Sequence, residues 1–451
     1  MRKIVAFLAT AAALVSSCCS VPKVESSLPY KIKGGTIVFD EPSRESGQVS
    51  ALRLSADPID TIRVGLVGCG SRARTALDLL YLPGVQIVAL CDKYEEHVDK
   101  YLAKDKILND NSGIVPRKYV GEEAYKEMCE SDDIDLVYVT TGWQMHVPVS
   151  LYALRHGKHV ACEVPAATTL EECWALVDAC EQTRKHFFML ENCIYDKEEL
   201  FIHNLVRQGL LGEVYYGAGA YIHNLDRGWE RYTDNWRLDF NQKRRGDNYA
   251  THGLGPICRD MDIHRGDRLE TLISMDSAPL RSKEWGQKLM GTEEFAEGDQ
   301  TVTLIRTAKG HLIEIQHNVY GRSPYSRIHE VMGTAGWARK YPSLMVNLAE
   351  GGGPVDSLMT LYNHPVYAEV EQMAEKVGGH GGMDFVMLSR LVYCLHNGLP
   401  LDMDVYDAAE WSCIGELSGV SMDSGYLPVR FPDFTRGDWA LSDHVSFEYK
   451  F

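Results

Sequence analysis

The chain has 451 residues, 24% charged and 45% hydrophobic, a balance typical of globular proteins that excludes disordered, collagen-like and multi-span membrane proteins. This length exceeds one ordinary hydrophobic core and predicts two or three folded units. The formal net charge of −17 disfavours nucleic acid as a partner, because its phosphates would be repelled.

The first residues are typical of a secretory signal peptide. Arg2 and Lys3 form a cationic start, and residues 4–15 form an apolar run that is too short to span a bilayer. Residues 15–18, Val-Ser-Ser-Cys, resemble a bacterial lipobox. We therefore expect residues 1–17 to be removed and Cys18 to be lipidated, with cleavage without lipidation as the alternative. The expected location is the bacterial cell envelope, with the membrane contacted only through the lipid.

Residues 18–60 mix Pro, Ser, Gly and charged residues without sustained periodicity, which predicts a tether. The ten cysteines that follow the signal region include no C-x-x-C pair and no zinc-site spacing, so we expect no metal site. Most of them lie among apolar residues, which favours free core thiols, with one disulfide as the alternative.

Residues 61–191 alternate strand-like and helix-like segments with short connections. This alternation predicts a parallel, doubly wound sheet, and right-handed crossovers favour the Rossmann order. Thr169 and Glu172 have the spacing of a helix capping box. The predicted strands are Ile62–Val67, Val85–Leu90, Ile134–Thr140, Lys158–Val164 and His186–Leu190.

The turn after the first of these strands carries a G-x-G-x-x-A signature at Gly68, Gly70 and Ala73. Gly68 permits the tight turn, Gly70 lets a pyrophosphate approach the backbone, and Ala73 lets the helix pack closely. Asp92 ends the second strand, where a carboxylate can bind ribose hydroxyls and repel a 2′-phosphate. The pattern predicts binding of NAD in preference to NADP; a glycine turn kept only for packing is the alternative.

Polar segments follow three later strands, at Trp143–His146, Glu163–Val164 and Glu191–Asn192. Because the carboxyl ends of parallel strands meet at one edge, we expect these segments to contact the nicotinamide end of the cofactor. Residues 192–451 differ, since strand-like segments at 213–221, 300–307 and 312–318 follow one another without a helix between each pair. This second unit is therefore predicted to be an α+β domain with a largely antiparallel sheet.

The whole layout, an α/β fold, resembles the Gfo/Idh/MocA oxidoreductase superfamily, in which a Rossmann domain is joined to an open-faced sheet that covers the nicotinamide. That superfamily usually carries Glu-Lys-Pro with a catalytic lysine. Val164 stands in place of the lysine, which argues against an ordinary sugar dehydrogenase.

From Ile62 to Trp439 the closer resemblance is to glycoside hydrolase family 109, the NAD-dependent α-N-acetylgalactosaminidases. The shared motifs are Trp143–His146, Glu163–Val164 followed by Thr169–Trp174, Leu190–Cys193, Tyr249–Pro256, Gly379–Asp384 and Pro432–Thr435. Beside Gly68 and Gly70, the resemblance assigns to NAD the residues Ser71, Arg72, Asp92, Trp143, Gln144, Met145, His146, Glu163, Val164 and Asn192. It assigns to the sugar Tyr221, Arg237, Tyr249, Ala250, Thr251, His252 and Tyr325.

The activity implied by this resemblance is cleavage of terminal N-acetylgalactosamine from glycans by oxidation, elimination, water addition and reduction. We expect His252, assisted by Tyr221 or Tyr249, to handle protons and Arg237 to hold the sugar, while His380 either supports the site or belongs to an ordinary loop. An NAD-dependent sugar dehydrogenase and a non-catalytic glycan-binding envelope protein that retains NAD are the alternatives. A homo-oligomer is compatible with the sequence, which does not fix the oligomeric state.

Overall fold

The computed structural model describes residues 26–441. In chain order the strands are β1 (Tyr30–Lys33), β2 (Thr36–Phe39), β3 (Ile62–Val67), β4 (Val85–Asp92), β5 (Arg117–Val120), β6 (Leu136–Val139), β7 (His159–Cys162), β8 (Phe187–Met189), β9 (Val214–Ile222), β10 (Leu269–Asp276), β11 (Thr301–Thr307), β12 (Leu312–Asn318), β13 (Glu330–Gly333), β14 (Gly336–Arg339), β15 (Met345–Leu348) and β16 (Val429–Arg430).

The α-helices are α1 (Glu95–Leu102), α2 (Asp105–Asn109), α3 (Ala124–Glu130), α4 (His146–Arg155), α5 (Leu170–Thr183), α6 (Lys197–Arg207), α7 (Trp236–Lys243), α8 (Thr251–Asp260), α9 (Arg281–Met290), α10 (Val355–Leu361), α11 (Pro365–Val377), α12 (Met383–Asn397), α13 (Val405–Ser412) and α14 (Ile414–Asp423). More tightly wound 3₁₀ helices span Arg72–Tyr81, Trp143–Met145, Asn192–Tyr195, Trp229–Arg231, Thr233–Asn235, His380–Gly382 and Asp438–Leu441.

The first sheet has six strands in the order β5-β4-β3-β6-β7-β8, all of them parallel. This is the predicted Rossmann order. The five predicted strands are present as β3, β4, β6, β7 and β8. The capping box at Thr169 and Glu172 is confirmed, and the helix that follows the glycine turn is a 3₁₀ helix. Helices α12 and α13, from the second half of the chain, pack against this first unit, so the two units share one apolar core.

The second sheet has ten strands in the order β1-β2-β16-β10-β11-β12-β9-β13-β14-β15. It is antiparallel except for the β2–β16 and β9–β12 pairs, which confirms the largely antiparallel prediction. Helices α8 and α14 pack against one face. The opposite face exposes apolar side chains such as Ile273, Met275 and Leu304, so the sheet is open-faced.

The tether prediction is wrong for residues 26–60. Strands β1 and β2 form a hairpin at one edge of the second sheet, where Ile37 and Phe39 are buried. The backbone N–H of Ser27 donates to the carboxylate of Glu416, 2.6 Å away. Each strand of the hairpin has only four residues, too few to show a period, and its burial depends on residues distant in the chain. The signal peptide, Cys18 and residues 18–25 lie outside the described residues.

Ten cysteines lie within residues 26–441, and all of them are buried and free, as predicted. Within the same range no helix has the length and apolarity that a membrane crossing requires.

Candidate functional site

A cavity of about 490 Å³ lies between the carboxyl edge of the first sheet and β9, α7 and α8 of the second unit. Its wall contains residues from all three polar segments predicted to follow the strands. The predicted site residues that line it are Ser71, Arg72, Trp143, His146, Glu163, Val164, Asn192, Tyr221, Arg237, Tyr249, His252 and Tyr325. The remaining predicted residues do not line it: Gly68, Gly70, Asp92, Gln144, Met145, Ala250 and Thr251.

The glycine turn has the geometry that a bound diphosphate needs. Gly68 has a φ of +92°, and a Cβ built on it would lie 2.8 Å from the backbone of Thr140 at the end of β6. A Cβ built on Gly70 would meet no atom within 4 Å. Gly68 is therefore required by close packing of two strand ends, whereas Gly70 faces open space into which a ligand can approach.

Asp92 lies at the end of β4 and organises the same turn. Its carboxylate accepts from the backbone N–H of Cys69 at 2.7 Å and from that of Tyr94 at 2.9 Å. His97 Nδ1 lies 3.2 Å from the same carboxylate. A carboxylate offers about four acceptor positions, so these contacts leave room for a ribose hydroxyl.

His146 supports the loops of the cavity. Its Nδ1 lies 2.8 Å from the carbonyl oxygen of Pro165 and its Nε2 3.2 Å from that of Thr141. Burial lowers the pKa of His146, whereas the contacts with the two carbonyl oxygens act to raise it, and the ring lies between two backbone segments. Its neighbours differ, since Gln144 is exposed and Met145 is half-buried.

On the side of the glycine turn, Arg72 forms an ion pair with Glu163. Nε of Arg72 lies 2.5 Å from the carboxylate of Glu163, which is buried. Burial raises the pKa of Glu163, and the guanidinium of Arg72 opposes this rise. Glu163 is thereby engaged with a neighbouring side chain.

Asp384 links three parts of this side of the cavity. Its buried carboxylate accepts from Asn192 Nδ2 at 2.6 Å and lies 2.7 Å from His380 Nδ1. Nη2 of Arg72 lies 3.5 Å away. Burial would raise the pKa of Asp384, but the contacts with His380, Arg72 and Asn192 lower it to about 2. The carboxylate therefore stays ionised at neutral pH.

On the opposite side, His252 is held by Glu191. His252 Nδ1 lies 2.7 Å from each carboxylate oxygen of Glu191, whose side chain is fully buried. Burial acts to raise the pKa of Glu191, but His252 and the backbone N–H of Cys193 reverse this and hold the pKa below its ordinary value. The second nitrogen of His252 is left to face the cavity as a group that can give or take a proton.

His252 reaches this position because α8 lies directly on β9. A Cβ built on Gly253 would lie 2.5 Å from the backbone nitrogen of Ala220, and one built on Gly219 would overlap the carbonyl oxygen of Gly253. This contact brings the His252 and Tyr221 rings to a centroid distance of 5.3 Å. Ala250 and Thr251 are buried at the start of α8 and help to set its position.

Arg237 lies among aromatic rings. Its guanidinium carbon is 5.1 Å from the ring centroid of Trp143, 5.5 Å from that of Tyr232 and 4.6 Å from that of Tyr249. The side chain is 6% exposed, and its Nε has no hydrogen-bond partner among the described residues. Burial opposes the charge, yet the surrounding tyrosines raise the pKa of Arg237, so a fixed cation faces the cavity.

Tyr221 and His223 share a hydrogen bond of 2.7 Å at the end of β9. Burial raises the pKa of Tyr221 to about 12 and lowers that of His223 to about 4. The phenol therefore donates to a neutral imidazole. At the rim, Tyr325 accepts from Nη1 of Arg327 at 2.9 Å, and Arg327 is held by the buried Glu199.

Glu191, Cys193 and His252 bring one potential ligand atom each within 4.8 Å of one another. Carboxylate, thiolate and imidazole together suit Zn²⁺ or a softer cation. Such an ion would replace the proton between Glu191 and His252.

Several residues of the site were not predicted from the sequence. Glu191 and Asp384 were placed in motifs, but their pairing with His252 and His380 was not predicted. His223 could have been found from strand alternation, because Tyr221 and His223 point to the same face. The other unpredicted residues of the wall are Arg74, Thr75, Thr140, Thr141, Cys193, Tyr232, Trp236, Arg327 and Met383.

Two family models match the chain. The model described as glycosyl hydrolase 109, C-terminal domain, matches residues 195–441. The model described as oxidoreductase family, NAD-binding Rossmann fold, matches residues 62–191. Asn192 and Cys193, which line the cavity, lie between the two matches.

Curated relatives are similar over most of the chain. A glycosyl hydrolase family 109 protein from Porphyromonas gingivalis is 48% identical over 427 residues, which cover 89% of this chain and 91% of the relative. Glycosyl hydrolase family 109 protein 1 from Bacteroides thetaiotaomicron is 47% identical over 433 residues, which cover 91% of this chain and 92% of the relative.

Solved structures share the fold at lower identity. The WlbA dehydrogenase from Bordetella pertussis, in complex with NADH and UDP-GlcNAcA, has a TM-score of 0.63 and 17% identity, covering 84% of this chain and 100% of its own. Levoglucosan dehydrogenase in complex with NADH and levoglucosan has a TM-score of 0.62 and 17% identity, covering 83% and 100% respectively. These similarities confirm the predicted Gfo/Idh/MocA architecture.

Proposed function

This chain belongs to glycosyl hydrolase family 109, and from that membership we propose that it releases terminal N-acetylgalactosamine from glycans with the help of bound NAD. One observation carries the proposal. His252, which is held by Glu191, and Ser71 and Arg72, which follow the glycines of the Rossmann turn, line the same cavity. A group that moves protons therefore faces a site built for a dinucleotide.

The residues around the glycine turn fit NAD. Open space lies beside Gly70, and the hydroxyl of Thr141, on the cavity wall, is buried without a partner among the described residues. Asp92 would bind the adenine ribose, and the backbone near Gly70 and Ser71 the diphosphate. When bound there, NAD⁺ supplies hydride transfer from C3 of the sugar and back to it.

The cavity favours this chemistry over that of an ordinary glycosidase or dehydrogenase. An ordinary glycosidase needs two carboxyl groups that face the glycosidic bond. The two glutamates nearest the cavity are engaged, Glu163 with Arg72 and Glu191 with His252. Val164 occupies the position of the lysine usual in related dehydrogenases, and no lysine lines the part of the cavity that the structure describes.

We propose His252 as the group that removes a proton from the sugar. Oxidation at C3 makes the C2 proton acidic, and its removal expels the glycosidic oxygen from C1. Glu191 fixes the orientation of the imidazole and stabilises its protonated form, as a carboxylate partner does in other histidine bases. Water then adds at C1, and the same imidazole, whose N–H exchanges with solvent, can protonate C2.

The other residues would orient and polarise the sugar. Tyr221 and Tyr249 keep their phenolic protons at neutral pH, because burial raises the pKa of both. Tyr249 would donate a hydrogen bond to a sugar hydroxyl, whereas Tyr221, which donates its proton to His223, would accept one. The Arg237 guanidinium, which lines the cavity, would bind a sugar or acetamido oxygen. Tyr325 would form part of the rim.

The test is hydrolysis of an aryl α-N-acetylgalactosaminide in D₂O, with the product analysed by NMR. The proposal expects aryl alcohol release, deuterium at C2 and no net NADH. Product that lacks deuterium at C2 contradicts the elimination mechanism. Accumulation of NADH with free sugar points to a dehydrogenase, and sugar affinity without turnover points to a binding protein. A His252→Ala protein that keeps NAD and full turnover contradicts the role of His252.

We further propose that the protein is exported to the bacterial envelope and lipidated at Cys18. The signal pattern and Val-Ser-Ser-Cys support this proposal. Labelling with a fatty-acid analogue should mark the wild-type protein and not a Cys18→Ala variant, and label on both would refute lipidation at Cys18.

A further inference from the structure

The loop before α12 holds an unusual backbone conformation at the wall of the cavity. Residues Gly378 to Gly382 all have positive φ, between 45° and 96°. His380, at 45°, is the one residue among these five for which this region is unfavourable. A strained non-glycine residue beside a cavity indicates a functional constraint on its position.

Asp384 fixes this strained imidazole. The loop feeds into the first turn of α12, where the fully buried Asp384 carboxylate lies 2.7 Å from Nδ1 of His380. The imidazole itself is 53% exposed, so burial of the ring does not hold it in place. The contact with Asp384 therefore defines the orientation of His380.

His380 and Asp384 both lie close to Arg72, in the glycine turn of the Rossmann unit. Nη1 of Arg72 lies 3.3 Å from Nδ1 of His380, and Nη2 lies 3.5 Å from Asp384. Arg72 follows Gly70 and Ser71 in the turn where a dinucleotide diphosphate is bound in this fold. Asn192, which begins the 3₁₀ helix after β8, donates to Asp384 at 2.6 Å. The loop before α12 is thus joined to the glycine turn and to the segment that follows β8.

From this geometry we propose that residues 378–384, here called the latch, close over the bound dinucleotide and slow its dissociation, with His380 and Asp384 acting as positioning residues for Arg72 and Asn192. The inference rests on the proposed function, in which the oxidised cofactor is regenerated in every turnover. Such an enzyme does not need to exchange its cofactor between turnovers. If the cofactor dissociated between the oxidation and reduction steps, the oxidised sugar could not be reduced and the turnover would not be completed.

The experiment measures how fast bound NAD leaves the purified full-length protein. Bound NAD is quantified after acid release, and its loss is followed after addition of an NAD-degrading enzyme that destroys the free cofactor. We expect His380→Ala and Asp384→Asn to lose NAD at least about tenfold faster than the wild type, because each removes a hydrogen bond to a charged group. His156→Ala removes an exposed imidazole just after the last residue of α4 and serves as the matched control.

Circular dichroism and thermal unfolding establish that each variant is folded. If Asp384→Asn does not fold, His380→Ala alone decides the outcome, since its side chain is exposed. Folded His380→Ala protein that releases NAD at the wild-type rate overturns the latch, as does a wild-type protein that does not bind NAD. The release rate is measured without sugar, so failure of the latch and failure of the proposed hydrolase activity are separate results.

Discussion

His252 Nδ1 lies 2.7 Å from both carboxylate oxygens of Glu191, although the two residues are 61 positions apart in the chain. Glu191 follows β8 of the first unit, and His252 lies in the first turn of α8 in the second. The pair therefore forms only when the two units are assembled. Its carboxylate is buried and ionised, which is the state that stabilises a protonated imidazole.

Replacing Glu191 by Gln should lower kcat by about 10²- to 10³-fold, because the amide cannot stabilise the protonated imidazole. Steady-state kinetics on an aryl glycoside would measure this, with the exposed Glu171→Gln as control. Unchanged kcat in a folded variant would contradict the pair's role.

The lowered pKa of Glu191 also stabilises the folded state at pH values above the unfolded pKa near 4.3. This contribution to the free energy of unfolding is lost as the pH falls through the lower pKa of the folded state.

Replacing Arg237 by Lys should raise KM by about tenfold, with a smaller change in kcat. An ammonium cannot stack on three rings and donate to the sugar in the same geometry as a guanidinium. Arg244→Lys is the matched control, since Arg244 also stacks on a ring, that of Phe240, but does not line the cavity. Equal KM values for the two variants would show that Arg237 does not bind the sugar.

Replacing Ile37 by Ala should lower the free energy of unfolding by about 2–4 kcal/mol, because its side chain is fully buried in the N-terminal hairpin. Ile32, in the same hairpin, is 57% exposed, and Ile32→Ala should change stability by less than about 0.5 kcal/mol. Urea unfolding of both variants measures the difference. Similar values would mean that the hairpin contributes little to the fold.

Because of Glu297, the free energy of unfolding should vary with pH at pH values above the acidic range. Burial raises the pKa of Glu297 to about 8, despite hydrogen bonds from Tyr320 and Asn248. A raised carboxyl pKa favours the folded state most below the unfolded value near 4.3, and this contribution is lost as the pH rises to about 8.

Stability of the wild type should accordingly fall with pH in that window by up to about 1.4 kcal/mol per pH unit more than that of Glu297→Gln. Thermal unfolding at a series of pH values tests this, with the exposed Glu293→Gln as control. Parallel profiles of the wild type and Glu297→Gln would show that Glu297 ionises normally.

Chelation with EDTA should leave activity unchanged, because the proposed chemistry uses no metal ion. Added Zn²⁺ should inhibit, since it would compete with the proton held between Glu191 and His252. Cys193→Ser should weaken this inhibition by about tenfold or more, because a hydroxyl is a poorer zinc ligand than a thiolate. Equal inhibition of the wild type and of Cys193→Ser would show that the inhibitory ion does not bind Cys193.

Local signals explain what could be predicted from the sequence. The strand from Ile62 to Val67, the glycine turn and the capping box at Thr169 each depend on a few neighbouring residues. Strand ends that meet at one sheet edge then bring Trp143, Glu163 and Asn192 together.

The missed features depend on long-range contacts. Asn192 and Asp384 are bonded across 192 positions of the chain, and no local pattern connects them. The N-terminal hairpin reaches the sheet through β16, a strand of two residues. Neither contact produces a periodic pattern in the sequence from which it could have been predicted.

The contact between Ser27 and Glu416 limits how far a lipidated protein could extend from its membrane. Only eight peptide steps separate Cys18 from Ser26, and a fully extended chain of that length covers at most about 28 Å. With lipid on Cys18, the folded part of the protein would lie no farther from the bilayer than roughly its own diameter. Glycans displayed at the cell surface or brought to it would then be within range, whereas polymers held at a greater distance would have to diffuse inward to be cleaved.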